Sequence, residues 1–476
     1  MKKSLLSLAF VLAALAAVAE KPRNIILFIG DGMSVPQRMI ADEFSRKLGK
    51  GPLAMNALEY SAVTRTCSFD SLVTDSAAAA TAIACGEKTR NHYSGVDPDG
   101  KPVYSCAVAA HKAGKKVGIC SNVTITHATP AGFYAHRSNR GDAYGIAVDL
   151  VNSGFDFFAG GGLDVNAGAS KNHPDYAKYG DAYENAWKHG YRKVSTRAEF
   201  LALKPADGKI LTRFTNGPLE SAINVTPETD QPTVAEITKK AIEMLRCRQG
   251  FFLMVEGGRI DWAGHSNDAG TNLRDVLALD EAVKVALAFQ KKEPDTLVIV
   301  TGDHETGGMS MGFADTGYAL YMDRLAGQTM SIERFESRVS AMFEQNANVT
   351  FDDMKGLVSE AFGLKFTGEP GVEMNDPMRL HRPEVAELKK AFDHDVEFHR
   401  HKVGENPAYD GEKRYLFGGA CRLVLSHKCG IGWTSGAHTA MPVLTTATGP
   451  GAKEFTGFIE NTDIAKKLKA FAGGAK

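Results

Sequence analysis

Three segments of this chain share a pattern that could do chemistry. Asn24–Ile29 leads into Gly30-Asp31-Gly32, Phe251–Val255 into Glu256-Gly257-Gly258-Arg259-Ile260-Asp261, and Thr296–Thr301 into Gly302-Asp303-His304. Each begins as a short apolar run that reads as a buried strand. In open α/β sheets, ligand sites form beyond the carboxyl ends of strands. Carboxylates converging on one such edge repel each other unless cations lie among them. One Gly-Asp-Gly is an ordinary turn; three such strand ends, two with histidines close by, point to metal binding. Asp261 and His265 are four apart, so on a helical turn they face the same way. Carboxylate plus imidazole is a good ligand set for zinc. Asp303 and His304 offer the same pair on adjacent residues, and the remote His438, in Gly436-Ala437-His438-Thr439, is available to complete a site.

Ser76 is the candidate nucleophile. It stands in Thr74-Asp75-Ser76-Ala77, before an alanine-rich helix expected to reach Cys85 and stop at Gly86. Ser or Asp in that place is first of all an N-cap. A helix N-terminus also favours anions, and a serine beside a zinc ion can ionise without a histidine base. No G-x-S-x-G elbow is present, so a metal-activated serine is the better chemical fit. Downstream lie His127-Ala128-Thr129-Pro130 and Arg140. The Thr129 hydroxyl suits a hard cation such as Mg²⁺, and the Arg140 fork suits two oxygens of a phosphate. Taken one at a time, each of these residues has an ordinary structural reading.

The elements that must position these residues follow from periodicity. Apolar runs at Asn24–Ile29, Lys116–Cys120, Phe155–Ala159, Phe251–Val255 and Thr296–Thr301 alternate with helical patterns, among them Thr233–Leu245 and Asn272–Gln290. That rhythm predicts an α/β fold with a large, mostly parallel sheet flanked by helices. Residues 20–476 are expected to form one such unit, interrupted by a charged insertion or cap over about 312–426. Lys+Arg (55) nearly balance Asp+Glu (56), so nothing indicates a nucleic-acid-binding module. Lys2 and Lys3, the apolar run Leu5–Val18 and Ala17-Val18-Ala19 read as a signal peptide over 1–19. Export to the periplasm or beyond is expected, with no membrane span left after cleavage. Export also permits disulfides. Of seven cysteines at least one must be unpaired; buried thiols with one or two bridges are expected, Cys421–Cys429 being a candidate small loop.

Together these pieces resemble the alkaline phosphatases, phosphomonoesterases with two zinc ions and one magnesium ion per chain. The resemblance runs in order from Gly30-Asp31-Gly32-Met33 through Asp75-Ser76-Ala77, Gly86–Asn91, Ala128-Thr129-Pro130 with Arg140, Val255–Asp261 with His265, and Thr301–His304, to Thr434–Thr439. It implies the fold predicted above with an inserted cap. By position, it implies that Asp261, His265 and His438 hold one zinc and that Asp31, Asp303 and His304 hold the other. Asp31, Thr129 and Glu256 would hold magnesium. It makes Ser76 the phosphorylated nucleophile and Arg140 the clamp on the phosphoryl group. The implied substrates are small-molecule phosphate monoesters with many leaving groups, and a homodimer is common in the family. His127 and Trp262 stand where some members carry an aspartate near magnesium and a lysine that holds phosphate. This leaves the third metal open and implies weaker phosphate binding. Trp262→Lys is therefore expected to tighten competitive inhibition by inorganic phosphate; an unchanged inhibition constant would refute this role of Trp262.

Overall fold

The computed structural model describes residues 21–313, 316–400 and 416–472. The expected signal peptide over 1–19 lies outside the described residues. Among the described residues, no helix is long and apolar enough to cross a membrane.

A ten-stranded sheet forms the centre. Its strands are β1 (Asn24–Gly30), β2 (Tyr60–Arg65), β3 (Lys116–Ser121), β4 (Phe157–Ala159), β5 (Tyr191–Val194), β6 (Lys209–Thr212), β7 (Phe251–Gly257), β8 (Thr296–Gly302), β9 (Val443–Thr448) and β10 (Gly457–Glu460). Their spatial order is β10-β2-β9-β8-β1-β7-β3-β4-β6-β5. All neighbours run parallel except at β9, which is antiparallel to both β2 and β8. The five predicted runs are β1, β3, β4, β7 and β8, the middle of the sheet. All residues of β1, β7 and β8 are buried. Their side chains alternate between two apolar clusters: Ile26, Phe28, Leu253 and Val298 on one face, Ile25, Leu27, Met254 and Ile299 on the other. A strand covered on both faces reads as a continuous apolar run, which is why these five were visible.

Helices cover both faces. Those that matter here are α1 (Val35–Lys47), α2 (Ser76–Cys85), α3 (Cys106–Lys112), α4 (Val234–Leu245), α5 (Arg259–His265), α6 (Ala269–Gln290), α7 (Ile332–Gln345), α8 (Phe351–Phe362), α9 (Arg382–Arg400), α10 (Leu416–Cys429) and α11 (Asn461–Ala472). Helix α4 buries Val234, Ile237, Ala241, Ile242 and Leu245, and a Thr233–Glu236 capping box starts it. Helix α2 is buried on every side, packed against α11 and the Ala128–Ala131 turn, so alanine is the residue that fits. Within 312–426, α7 to α10 bring Phe335, Phe362, Phe392 and Phe417 into the same apolar cluster as the sheet face. The Ile332 amide donates to Asp268 Oδ2 at 2.9 Å, tying α7 to the start of α6.

The disulfide expectation is corrected. All seven cysteines carry free thiols. Cys421 and Cys429 lie on one continuous helix, α10. Eight residues of helix rise about 12 Å, whereas a disulfide needs Cα atoms roughly 4.4–6.8 Å apart.

The reversed strand β9 is locked to α1 by a buried arginine. Arg38 is 1% exposed and donates to Met55 O (2.6 Å), Asn56 Oδ1 (2.9 Å), Leu444 O (3.0 Å) and Thr446 Oγ1 (3.2 Å). Arg38→Met keeps most of the volume but leaves these acceptors unpaired. A loss of about 3 kcal/mol is expected, read as a lowered midpoint in denaturant melts with an unchanged slope.

Candidate active site

The site begins with register. In the parallel pairs β1–β7 and β1–β8, Gly30 lies opposite both Gly257 and Gly302. The three strands therefore end level, and the residues that follow leave from one edge. Gly32 makes the first turn at φ 70°, and a Cβ there would lie 2.9 Å from Asp261 Cα. No side chain fits at that approach.

The nucleophile candidate sits where α2 begins. Asp75 is the N-cap, its Oδ1 accepting from the Ala78 amide at 2.9 Å. The capping task thus falls to Asp75, and Ser76, the first helical residue, is free to point elsewhere. Its Oγ lies 3.2 Å from His304 Nε2, with the residue 1% exposed. The other oxygen of Asp75 accepts from Arg140 Nη1 at 3.0 Å, and Arg140 Nη2 lies 3.4 Å from His127 Nε2. An arginine so held has its guanidinium fixed beside the start of α2.

Three clusters of metal-ligating atoms gather at this edge, one of them touching Ser76 through His304. In the first, His265 Nδ1 faces Gly436 O and His438 Nδ1 faces Thr74 O, both at 2.8 Å. Carbonyls only accept, so each Nδ1 carries its proton and each Nε2 presents a lone pair. Those two Nε2 atoms face each other at 3.1 Å, with Asp261 oxygens 3.4 and 3.6 Å away. Two lone pairs and a carboxylate in that arrangement repel unless a cation lies among them. Thr306 Oγ1 donates to Asp261 Oδ1 at 2.5 Å and orients it.

In the second cluster, His304 Nε2 lies 3.2 Å from Asp31 Oδ1 and 3.4 Å from Asp303 Oδ2, all three residues fully buried. In the third, His127 Nδ1 lies 3.4 Å from Glu256 Oε1 and 3.8 Å from Asp31 Oδ2, which also accepts from Thr129 Oγ1 at 3.3 Å. Asp31 thus turns one oxygen to each of two clusters. Trp262 closes the third, its ring 6.2 Å from that of His127 and 4.8 Å under the Arg259 guanidinium.

The electrostatics fit cations in the second and third clusters. Asp31 Oδ1, Asp303 Oδ2, Glu256 Oε1 and His127 Nδ1 are buried and have no hydrogen-bond partner. Four such orphans in one place are far from the rule for buried polar atoms. Burial, then the charges of Asp303, Asp261 and Glu256, holds the Asp31 carboxyl well above the usual range. Burial and the Asp261 charge push Asp303 up to about 8. Burial drives His304 well below its ordinary value, so its imidazole is a neutral donor of electron pairs.

All twelve predicted residues meet at this edge. Sequence reasoning missed their supports: Thr306, and Ser121, whose hydroxyl donates to Glu256 Oε2. It also missed Glu305, which ties Gln37, Gly308, Met309 and Thr439 together beneath the loop. A lone hydroxyl on a strand carries no signal in sequence, so only its contacts identify it.

These carboxyls make the metal-free protein sensitive to pH. Asp303 keeps its proton in the fold to about pH 8, while an unfolded aspartate loses it near 3.8. Raising the pH between those values therefore destabilises the fold, by up to about 1.4 kcal/mol per pH unit for one group. Thermal melts in chelator should fall from pH 5 to 8, less steeply in Asp303→Asn and in metal-loaded protein. Parallel curves for all three samples would contradict the assignment.

Comparison with known proteins points the same way. The alkaline phosphatase family model matches residues 22–473. Alkaline phosphatase 3 of Bacillus subtilis (strain 168) is 32% identical over 457 residues, an alignment covering 94% of this chain and 88% of its own length. The alkaline phosphatase of Escherichia coli (strain K12) is 34% identical over 338 residues, covering 60% of this chain and 71% of its own. The crystal structure of Thermus thermophilus alkaline phosphatase superposes with a TM-score of 0.77 at 28% identity, covering 97% of this chain and 94% of that one. The cold-active enzyme from Shewanella sp. gives 0.77 at 26% identity, covering 95% and 100%. With the level strand ends, the clustered carboxylates and imidazoles, and a match along nearly its whole length, the chain belongs to the alkaline phosphatase family of metal-dependent phosphomonoester hydrolases.

Proposed function

We propose that this protein hydrolyses phosphate monoesters through a phosphoserine on Ser76, with two zinc ions and one magnesium ion bound in the three clusters. One observation carries the reading. Ser76 Oγ and the Asp75-held Arg140 flank an edge where buried, unpartnered carboxylate oxygens gather. Asp261, His265 and His438 would hold one zinc, and Asp31, Asp303 and His304 the other. Asp31, Thr129 and Glu256 would hold magnesium. The imidazole of His127 beside Asp31 and Glu256 turns that third position into a mixed nitrogen–oxygen set, which also suits zinc. Bound metals would supply Lewis acidity, lowering the pKa of the oxygens they touch and stabilising both oxygens of an in-line displacement.

The chain's own residues do the rest. Arg140 would bind two non-bridging oxygens of the substrate phosphoryl group, oriented by Asp75, and the start of α2 adds the favourable field of its amides. Ser76 Oγ forms the bond to phosphorus while the bond to the leaving alcohol breaks. Water then attacks from the leaving-group side, the Oγ–P bond breaks, and inorganic phosphate departs. Because the protein grips the phosphoryl group, leaving groups of many kinds fit the reading. Residues 312–426 are read as an insertion within the single α/β unit, supported by the apolar cluster they share with the sheet face. With residues 1–19 as an export signal, the working place is the periplasm or the medium.

The test is hydrolysis of a chromogenic phosphate monoester at alkaline pH with added Zn²⁺ and Mg²⁺, beside a matched diester, a sulfate ester and a chelated control. Strong, chelator-sensitive turnover of the monoester is expected. Ser76→Ala should reduce it by 10³-fold or more, as loss of a nucleophile does, and leave metal content unchanged. Turnover that survives Ser76→Ala would remove the phosphoserine from the scheme.

A further inference from the structure

We infer that Asn91 is a positioning residue whose side-chain amide couples the loop carrying Ser76 to the imidazole of His438. The inference rests on the proposed function, since it assigns His438 to zinc and Ser76 to attack. Asn91 follows the helix α2 in sequence and returns to the loop before it. Its Oδ1 accepts from the Asp75 amide at 3.0 Å, and its Nδ2 donates to Val73 O at 3.1 Å. Its own amide donates to Asp70 Oδ1 at 3.1 Å, so the asparagine backbone is itself anchored to that loop.

The two side-chain bonds bracket one residue, Thr74. The carbonyl of Thr74 accepts the Nδ1 proton of His438 at 2.8 Å. That bond leaves the His438 Nε2 lone pair facing Asp261 and His265. Downstream of the same residue, Asp75 caps α2, holds Arg140 and places Ser76. One amide thus fixes both flanks of a peptide that orients His438 on one side and the nucleophile on the other. The loop around residues 66–75 has no helix or strand of its own to do this. Partners that orient a ligating histidine are commonly worth about 10–100-fold in metal affinity or activity. Asn91 is only partly buried and lies outside both apolar clusters, so its loss should leave the fold intact.

The experiment uses the full chain as wild type, Asn91→Ala and Asn91→Leu, the leucine preserving volume without hydrogen bonds. Four quantities are read: zinc affinity by chelator competition, kcat and KM for a monoester, and the melting temperature of the metal-free protein. In both variants we expect one zinc to bind about 10–100-fold more weakly and kcat/KM to fall by a similar factor, with the metal-free melting temperature little changed. Zinc affinity and kcat/KM both within about twofold of wild type, or a lowered metal-free melting temperature alone, would overturn the coupling. Absence of monoester turnover in the wild type would instead count against the proposed function, and the zinc competition would still decide the role of Asn91.

Discussion

Repulsion between carboxylates brought level at one sheet edge is the constraint on which the rest of this molecule depends. Parallel pairing of β1 with β7 and β8 puts Gly30, Gly257 and Gly302 in one row. Asp31, Glu256 and Asp303 then lie side by side, fully buried. Water cannot screen them there, and among the described residues no arginine or lysine forms an ion pair with them. Either protons or cations must occupy the space. Burial and the neighbouring carboxylates raise the pKa of Asp31 and Asp303, which favours protons there when no cation is bound. Burial lowers the pKa of His304 and His438, which favours neutral imidazoles with electron pairs to donate.

Much of the surrounding structure can be understood as support for that crowded edge. The hydroxyls of Ser121 and Thr306 each hold one carboxylate oxygen, leaving Glu256 Oε1 buried without a partner and Asp261 Oδ2 facing His265. The Gly436 and Thr74 carbonyls select the tautomers of His265 and His438. Asp75 combines a helix cap with a hold on Arg140, which joins the start of α2 to that guanidinium. The reversed strand β9 follows directly after the His438 loop, and Arg38 ties it to α1, which follows Asp31. Stability and site geometry therefore share the same anchors.

How much was legible depended on whether a residue's environment was local. The five central strands were visible because both faces are buried, giving unbroken apolar runs. Strand β2 was not, because it buries Ala62 and Thr64 while Val63 is exposed, so its apolar residues do not mark its buried face. Strand β9 was not, since Thr445 and Thr446 are buried polar residues: Thr445 pairs with the hydroxyls of Thr64 and Thr301, and Thr446 donates to the Met55 carbonyl. The cysteines were misjudged for a related reason. Spacing alone allows a loop between Cys421 and Cys429, and only a continuous helix through both forbids it.

By itself the sequence determined the chemistry available: carboxylates after strands, imidazoles at helical or adjacent spacing, a serine at a helix start, and a fork-shaped cation to meet phosphate. These depend on residue type and short-range spacing, which the chain carries locally. Only the tertiary structure decided which atoms face which. Thr74 and His438 are 364 residues apart, yet one carbonyl between them sets a tautomer. Asp31 serves two clusters because its oxygens point in different directions between β7 and β8. Such facts follow from strand register and loop path, and these are settled by packing energy summed over the whole core, which no local pattern contains.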